Sequence, residues 1–304
     1  MSVIEIAFGA DEAFAMPLAV ALASIARYVT RPTRAWVIHA SIPAHVRARV
    51  ERGLRDTDTT IEWVDGASIP RLGELPLNRH FSKATYFRLT LPEVLPADVH
   101  RVVYLDSDVV AVDDIAPLFD AELGGRSTGG VRDIGFPWAV MSKGLANWRE
   151  IGLDRTVPYF NSGVLVMDID QWRERGVGDS IIDYLMRNGS PYFADQDAIN
   201  VVLAHDVAEL EPRWNQHPSI QQAAGLCHVV FTPDEVDAAR DKPAVIHYLT
   251  RDKPWNHGCT HPEIDRWFEA LDRTAWAGWR PQGPGLRDRA SDRIRSAART
   301  LVKG

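Results

Sequence analysis

Asp106 and Asp108 stand one residue apart at the end of an apolar run, Val102-Val103-Tyr104-Leu105. Two carboxylates at that spacing converge on one hard divalent cation where a strand bends into a turn. Their oxygens suit Mg²⁺ or Mn²⁺, ions that bridge protein to phosphate oxygens. The run itself is β-branched and aromatic, the composition of a buried strand. Its carboxyl end is where α/β sheets hold ligands. An Asp-x-Asp alone is also an ordinary surface turn, so the other polar stretches decide its meaning.

Four such stretches stand out. Near the start, Phe8-Gly9-Ala10-Asp11-Glu12-Ala13-Phe14 follows a first strand. Gly9 allows close backbone approach, Asp11 can accept from a base or ribose, and Phe14 can stack on a ring; a plain loop over a core Phe14 is the bland alternative. Asn161 precedes the apolar run Val164-Leu165-Val166, so its amide can bond a sugar hydroxyl or cap a turn. Asp195-Gln196-Asp197 sits at a helix start, where Asp195 is equally a capping residue. His247 ends the run Ala244-Val245-Ile246 and is a fitting third metal ligand beside two aspartates. Lys253, six residues on, can neutralise a phosphate on the same cation as a point charge.

The elements that must position these residues alternate through the first half. Strands are expected at 3–8, 35–40, 60–64 and 101–105, with helices at 17–28, 43–54 and 82–91. Such βαβ alternation implies a mainly parallel sheet covered by helices. Further on, strands are expected at 164–168 and 244–249 and helices near 170–187 and 196–203. Hydrophobic content of 45% and charged content of 25% are ordinary globular values, and the chain's 304 residues can bury a large core. A net charge of −7 argues against a nucleic-acid surface. The charge is uneven: residues 281–304 hold six basic and two acidic side chains, +4, which leaves −11 on the rest. We therefore read a catalytic domain over 1–280, a break at Pro281-Gln282-Gly283-Pro284-Gly285, and a basic tail over 281–304. Two cysteines give no disulfide framework and fit a reducing cytoplasm. Neither a signal peptide nor a membrane span is expected.

Together these segments resemble the retaining glycosyltransferases of family 8, the family of glycogenin and of bacterial lipopolysaccharide galactosyl- and glucosyltransferases. The matches fall in order at residues 8–14, 77–89, 104–109, 159–166, 193–200 and 247–255. The Asp-x-Asp is unspecific; the Phe160-Asn161-x-Gly163 stretch, the Asp-Gln-Asp and the histidine followed by Lys253-Pro254-Trp255 are jointly specific. The resemblance implies an α/β, Rossmann-like nucleotide-diphospho-sugar transferase fold of the GT-A type. It implies Asp106, Asp108 and His247 as ligands of Mn²⁺ or Mg²⁺. Phe8, Ala10, Asp11, Phe14, Arg88, Asp106, Ser107, Asp133, Asn161, Ser162, Thr250 and Lys253 would bind the UDP-sugar donor, with Gln196 and Asp195 catalytic. His80 would lie on the acceptor side. Two departures from the family pattern occur. Thr250 stands where a glycine is usual, and Ala13-Phe14 replaces a polar residue and tyrosine.

The implied reaction moves galactose or glucose from a UDP-sugar to a hydroxyl of a glycan or glycolipid, with retention. An amide is a poor nucleophile, so same-face attack with Gln196 or Asp195 stabilising an oxocarbenium-like state is favoured over double displacement. Leu286, Ile294 and Leu301 among arginines suit a short amphipathic helix at the inner face of a membrane, against the alternative of a solvated tail. Two competing readings remain: a binding protein that has lost catalysis, and a haloacid-dehalogenase-type phosphatase with Asp106 as nucleophile. The second normally carries its aspartate after the first strand, and no later lysine and paired-aspartate set accompanies it here.

Overall fold

The computed structural model describes residues 2–76, 82–221 and 227–283. β1 (Ile4–Asp11) leads through a single 3-10 turn into α1 (Ala15–Tyr28), the Asp11 side chain capping that turn. Pro17 lies in the first turn of α1, where no preceding carbonyl awaits its missing N–H, so the helix begins before it. β2 (Thr33–Ala40), α2 (Ala44–Glu51), β3 (Thr59–Asp65) and β4 (Arg101–Leu105) continue the alternation. The second half holds β5 (Val109–Ala111), β6 (Thr128–Arg132), β7 (Phe160–Asp168), α3 (Ile169–Glu174), α4 (Val177–Asn188) and α5 (Asp195–Val202). It ends with β8 (Val207–Glu209), α6 (Pro233–Asp241), β9 (Val245–His247) and α7 (Ile264–Leu271).

Seven strands form one sheet in the order β3-β2-β1-β4-β7-β6-β8, while β5 and β9 pair as an antiparallel ribbon. Pairing is parallel for β1–β2, β2–β3, β1–β4 and β6–β8, and only β7 runs against its neighbours. This is the expected mainly parallel mixed sheet. The chain leaves β1 for β2 and β3 on one side and crosses back to β4 on the other, so a crevice opens at the carboxyl ends of β1 and β4. Because β7 is reversed, its amino end lies at that same edge, with Asp106 N–H donating to the Gly163 carbonyl at 2.8 Å.

Both faces of the sheet are buried. Ile4, Ile6 and Phe8 of β1 pack with Leu18, Leu22 and Ile25 of α1, and Ala7, Val102 and Tyr104 pack on the opposite face with Trp172, Ile181 and Leu185. A strand covered on two sides reads as a continuous apolar run, which is why these strands are visible in the sequence. Three other strands are not. β5 and β8 have three residues each, too few for a pattern, and β6 (Thr-Gly-Gly-Val-Arg) is depleted in strand formers.

Three expected elements change form. Residues 82–91 do not make an α-helix; Lys83–Thr90 is a 3-10 helix whose N-cap, Ser82, accepts from Ala84 N–H. Its aromatic and β-branched residues are weak α formers, and Pro92 follows. The helix expected at 170–187 is two, broken at Gly176, whose φ of 59° requires glycine. The strand at 244–249 shortens to β9. His80 and the tail from 284 onward lie outside the described residues. Among those described, no helix is long and apolar enough to cross a membrane.

Candidate active site

A cavity of about 820 Å³ fills the crevice between β1, β4 and the amino end of β7. Every sequence candidate among the described residues lines it except Phe8. Phe8 is fully buried in the α1-facing core, because strand alternation turns it to the same side as Ile4 and Ile6. The expected close approach at Gly9 is also redirected. A Cβ there would sit 2.6 Å from the Ala84 carbonyl, so its bareness admits the 3-10 segment. Asp11 does two things at once: its Oδ1 accepts from Phe14 N–H at 3.2 Å while the residue faces the cavity. Phe14 stays 36% exposed and meets Trp255 edge-on at 5.8 Å.

Carboxylates outnumber cations on the wall. Asp11, Asp106, Asp108, Asp133 and Asp195 face Arg88, Arg251 and Lys253 among the described lining residues. The excess concentrates where β4 turns into β5. There Asp106, Asp108 and His247 offer ligand atoms all within 4.8 Å of one another. Strand pairing makes the triad: β9 runs antiparallel to β5 with His247 opposite Val109, which sets the imidazole beside Asp108. His247 Nε2 lies 3.1 Å from Asp108 Oδ1 and 3.9 Å from Asp106 Oδ2. Gly163 completes the arrangement by having no side chain. A Cβ there would stand 2.2 Å from the His247 ring and 2.8 Å from Asp106 Oδ2. Two carboxylates and an imidazole suit a divalent cation, so the donor set fits a metal centre.

Cationic side chains brace each aspartate. Lys253 Nζ donates to Asp108 Oδ2 and to the Tyr248 carbonyl. Burial alone would push the Asp108 carboxyl up, but Lys253 and His247 hold it well below the usual range. Arg88, 3% exposed, donates to Asp106 Oδ1 at 2.9 Å, to the Ser162 carbonyl, and lies over the Tyr104 ring at 4.3 Å. Tyr104 adds a second donor to Asp106 Oδ1 at 3.0 Å. Burial opposes the guanidinium charge, and Asp106 and Asp195 more than restore it.

Asp195 opens α5 without capping it. Its Oδ1 accepts from Thr85 Oγ1 at 2.7 Å and its Oδ2 lies 2.9 Å from Arg88 Nε. Thr85 and Arg88 are three residues apart, and a 3-10 helix stacks such residues on one face. The unexpected helix type is thus what aims both at one carboxylate. Burial outweighs that support and pushes the Asp195 carboxyl up to about 6. The second aspartate of the motif, Asp197, is structural: it is fully buried and accepts from Tyr159 OH at 2.7 Å and Phe193 N–H at 2.8 Å. Gln196 is oriented at both ends, its Oε1 accepting from Ser162 N–H at 3.0 Å and its Nε2 donating to Asp133 Oδ2 at 3.3 Å.

Several residues with a place here carry no sequence signal. Thr85 and Tyr104 look like ordinary helix and strand residues. His217 lines the cavity with Nδ1 accepting from Ser219 N–H at 3.0 Å, and burial pulls its pKa down. Asn215 lies 2.8 Å from His247 Nδ1.

A family model described as glycosyl transferase family 8 matches residues 5–259. The chain belongs to that family. The general stress protein A of Bacillus subtilis (strain 168) is 26% identical over 250 residues, 81% of this chain and 84% of that protein. The lipopolysaccharide 1,2-glucosyltransferase of Escherichia coli (strain K12) is 28% identical over 204 residues, 66% of this chain and 58% of its own length. Among solved structures, the galactosyltransferase LgtC with donor and acceptor sugar analogues superposes with a TM-score of 0.75 at 27% identity, covering 94% of this chain and 99% of that one. An LgtC active-site mutant exchanging glutamine for glutamate gives the same score at 28% identity, over 89% and 96%. The family 8 glycosyltransferase therefore has the GT-A fold expected of it, and the expectation of a hexosyltransferase stands. The phosphatase alternative falls with this membership.

Thr250, where the family pattern has glycine, adopts a φ of 73°. The backbone holds a left-handed conformation that a β-branched side chain strains against. Thr250→Gly should raise unfolding stability by about 1 kcal/mol, read from urea denaturation; an unchanged or lowered midpoint would contradict the strain. Asp195 predicts a pH effect. Between about 4 and 6 the folded chain keeps a proton that the unfolded chain has released, so this group's contribution to stability falls as pH rises through that window. In Asp195→Asn that slope should vanish. Unfolding free energies of variant and wild type compared from pH 4 to 8 should diverge up to about pH 6 and then run parallel; a constant difference would count against it.

Proposed function

We propose that this glycosyltransferase moves galactose or glucose from a UDP-sugar to a hydroxyl of a glycan or glycolipid, with retention at the anomeric carbon. The observation that carries the reading is the Asp106–Asp108–His247 triad meeting Lys253 in one wall of the cavity. Mn²⁺ or Mg²⁺ held there would neutralise the diphosphate and make it a competent leaving group. The names of the Escherichia coli glucosyltransferase and of the galactosyltransferase LgtC support glucose or galactose as the sugar.

The protein's own residues do the rest. Asp11 and Phe14 would receive the uridine, the carboxylate accepting from it and the ring packing on it. Ala10, Ser107 and Thr250, which line the cavity, would border the diphosphate, which Lys253 would meet as it develops charge. Asp133, Asn161, Ser162 and Gln196 form one polar wall for the sugar, each amide already oriented by a partner. Such preorganisation holds donor and acceptor in near-attack geometry. Gln196 Oε1 is engaged by a backbone N–H, which draws electron density away from it and weakens it further as a nucleophile. Asp195, through Arg88, sets the charge behind that wall.

Residues 1–280 are the proposed catalytic domain and 281–304 a basic tail that meets an anionic membrane at its inner face, where a glycolipid acceptor resides. Liposomes carrying anionic lipid should float the full chain and not one ending at Pro281; equal flotation would sink the tail's role.

Release of UDP from a panel of nucleotide sugars, with Mn²⁺ and with chelator, tests the reaction. Metal-dependent turnover of one hexose donor is expected, and Gln196→Ala should lower kcat about a hundredfold while leaving measurable transfer. Total loss in that variant would favour double displacement. A wild-type chain that binds nucleotide and never releases UDP would be a degenerate binder.

A further inference from the structure

The proposed metal ligands are carboxylate oxygens and one ring nitrogen, and that nitrogen must carry no proton to bind a cation. An imidazole has two neutral forms, and only the one protonated at Nδ1 leaves Nε2 free for a cation. What decides between them lies behind the ring. Gly163 N–H, a backbone donor with no alternative orientation, points at Asn161 Oδ1 over 3.0 Å. That contact fixes the Asn161 amide, whose Nδ2 then donates to Asp133 Oδ2 at 3.3 Å. Asn161 Oδ1 takes a second donor, Asn215 Nδ2, at 2.9 Å. The Asn215 amide is therefore also fixed, and its Oδ1 faces His247 Nδ1 at 2.8 Å. An acceptor at that position demands a proton on Nδ1.

We propose that Asn215 is a positioning residue that, relayed from Gly163 through Asn161, holds His247 as its Nδ1–H tautomer and so makes Nε2 a metal ligand. All four residues are buried or backbone-held: Asn161 is 7% exposed, Asn215 4% and His247 1%. Water therefore does not compete for these polarities. Backbone pairing places Asn215, which ends the 3-10 turn Pro212–Asn215 just before Gln216 bridges to Ile246. On the far side of the ring, Nε2 faces Asp108 Oδ1 and Asp106 Oδ2, the oxygens with which it would share a cation in place of a ring proton. Partners of this kind behind metal-bound histidines change affinity by about tenfold to hundredfold. The proposal rests on the metal reading above and adds the residue that orients its nitrogen ligand.

Two measurements test it. Nitrogen-15 NMR of histidine-labelled wild-type protein, without metal, should show His247 protonated at Nδ1, assigned by loss of its signals in His247→Ala. The Nε2–H form would overturn the proposal outright. Mn²⁺ affinity, titrated calorimetrically, should then fall about tenfold to hundredfold in Asn215→Leu and recover largely in Asn215→Asp. Leucine keeps the volume and removes the acceptor, whereas aspartate keeps an acceptor for Nδ1–H at the cost of a buried charge and of the donor to Asn161 Oδ1. A residue that only fills space would give the opposite order, leucine binding as wild type and aspartate worse, and that result would refute the assignment. A wild-type chain with the Nδ1–H ring that takes up no Mn²⁺ would overturn the metal reading, and the ligand role with it, while leaving the tautomer relay standing.

Discussion

Negative charge gathered out of water must be answered close by, and the whole crevice is arranged around that constraint. Asp106, Asp108 and Asp195 lie within or beside the sheet, where an uncompensated carboxylate is far costlier than at a surface. Arg88 answers two of them and Lys253 the third. The result is uneven. Asp108 is held strongly ionised, whereas Asp195 is so enclosed that burial prevails over its partners. One wall is thus prepared for a cation, and the neighbouring wall holds a carboxyl that exchanges its proton within reach of neutral pH.

Meeting that constraint shapes the backbone around it. A 3-10 stretch of eight residues is unusual, yet it is the form that stacks Thr85 and Arg88 toward Asp195. Ala194 has a φ of 48° immediately before Asp195, and Thr250 one of 73° between His247 and Lys253. Two of the three non-glycine residues with positive φ in the described chain therefore flank charged residues of the cavity. Strain of this kind persists only where surrounding packing over-determines it. The buried core on both sheet faces, with Trp172, Tyr104 and Phe8 fully enclosed, provides that packing.

Polar order extends beyond the charges. The amides of Asn161, Asn215 and Gln196 are each held at both ends, so none has to reorganise to present its polarity. Gly163 serves twice, its N–H orienting Asn161 and its missing side chain admitting His247 and Asp106. A single reversed strand, β7, brings the N–H, the space and the Asn161 amide to the edge where β4 ends.

The sequence by itself determined most of the sheet and many of the candidate chemistry-bearing residues. Strands buried on both faces appear as apolar runs, so β1, β2 and β4 were legible; Asp106, Asp108 and His247 were legible from their types at strand ends, and Lys253 from its charge six residues on. Family resemblance added Asp133, Arg88 and the role expected of Gln196. Tertiary structure alone decided the rest. It turned Phe8 into the core, converted 82–91 from an α-helix into a 3-10 helix, and gave Asp195 to Arg88 instead of to a helix cap. It also recruited Thr85, Tyr104, His217 and Asn215, which nothing local distinguishes. The physical reason is common to these cases. Composition and periodicity report what a segment prefers alone, whereas the direction of a hydrogen bond, the charge beside a carboxylate and the space left by a glycine depend on residues distant in sequence that pairing brings near.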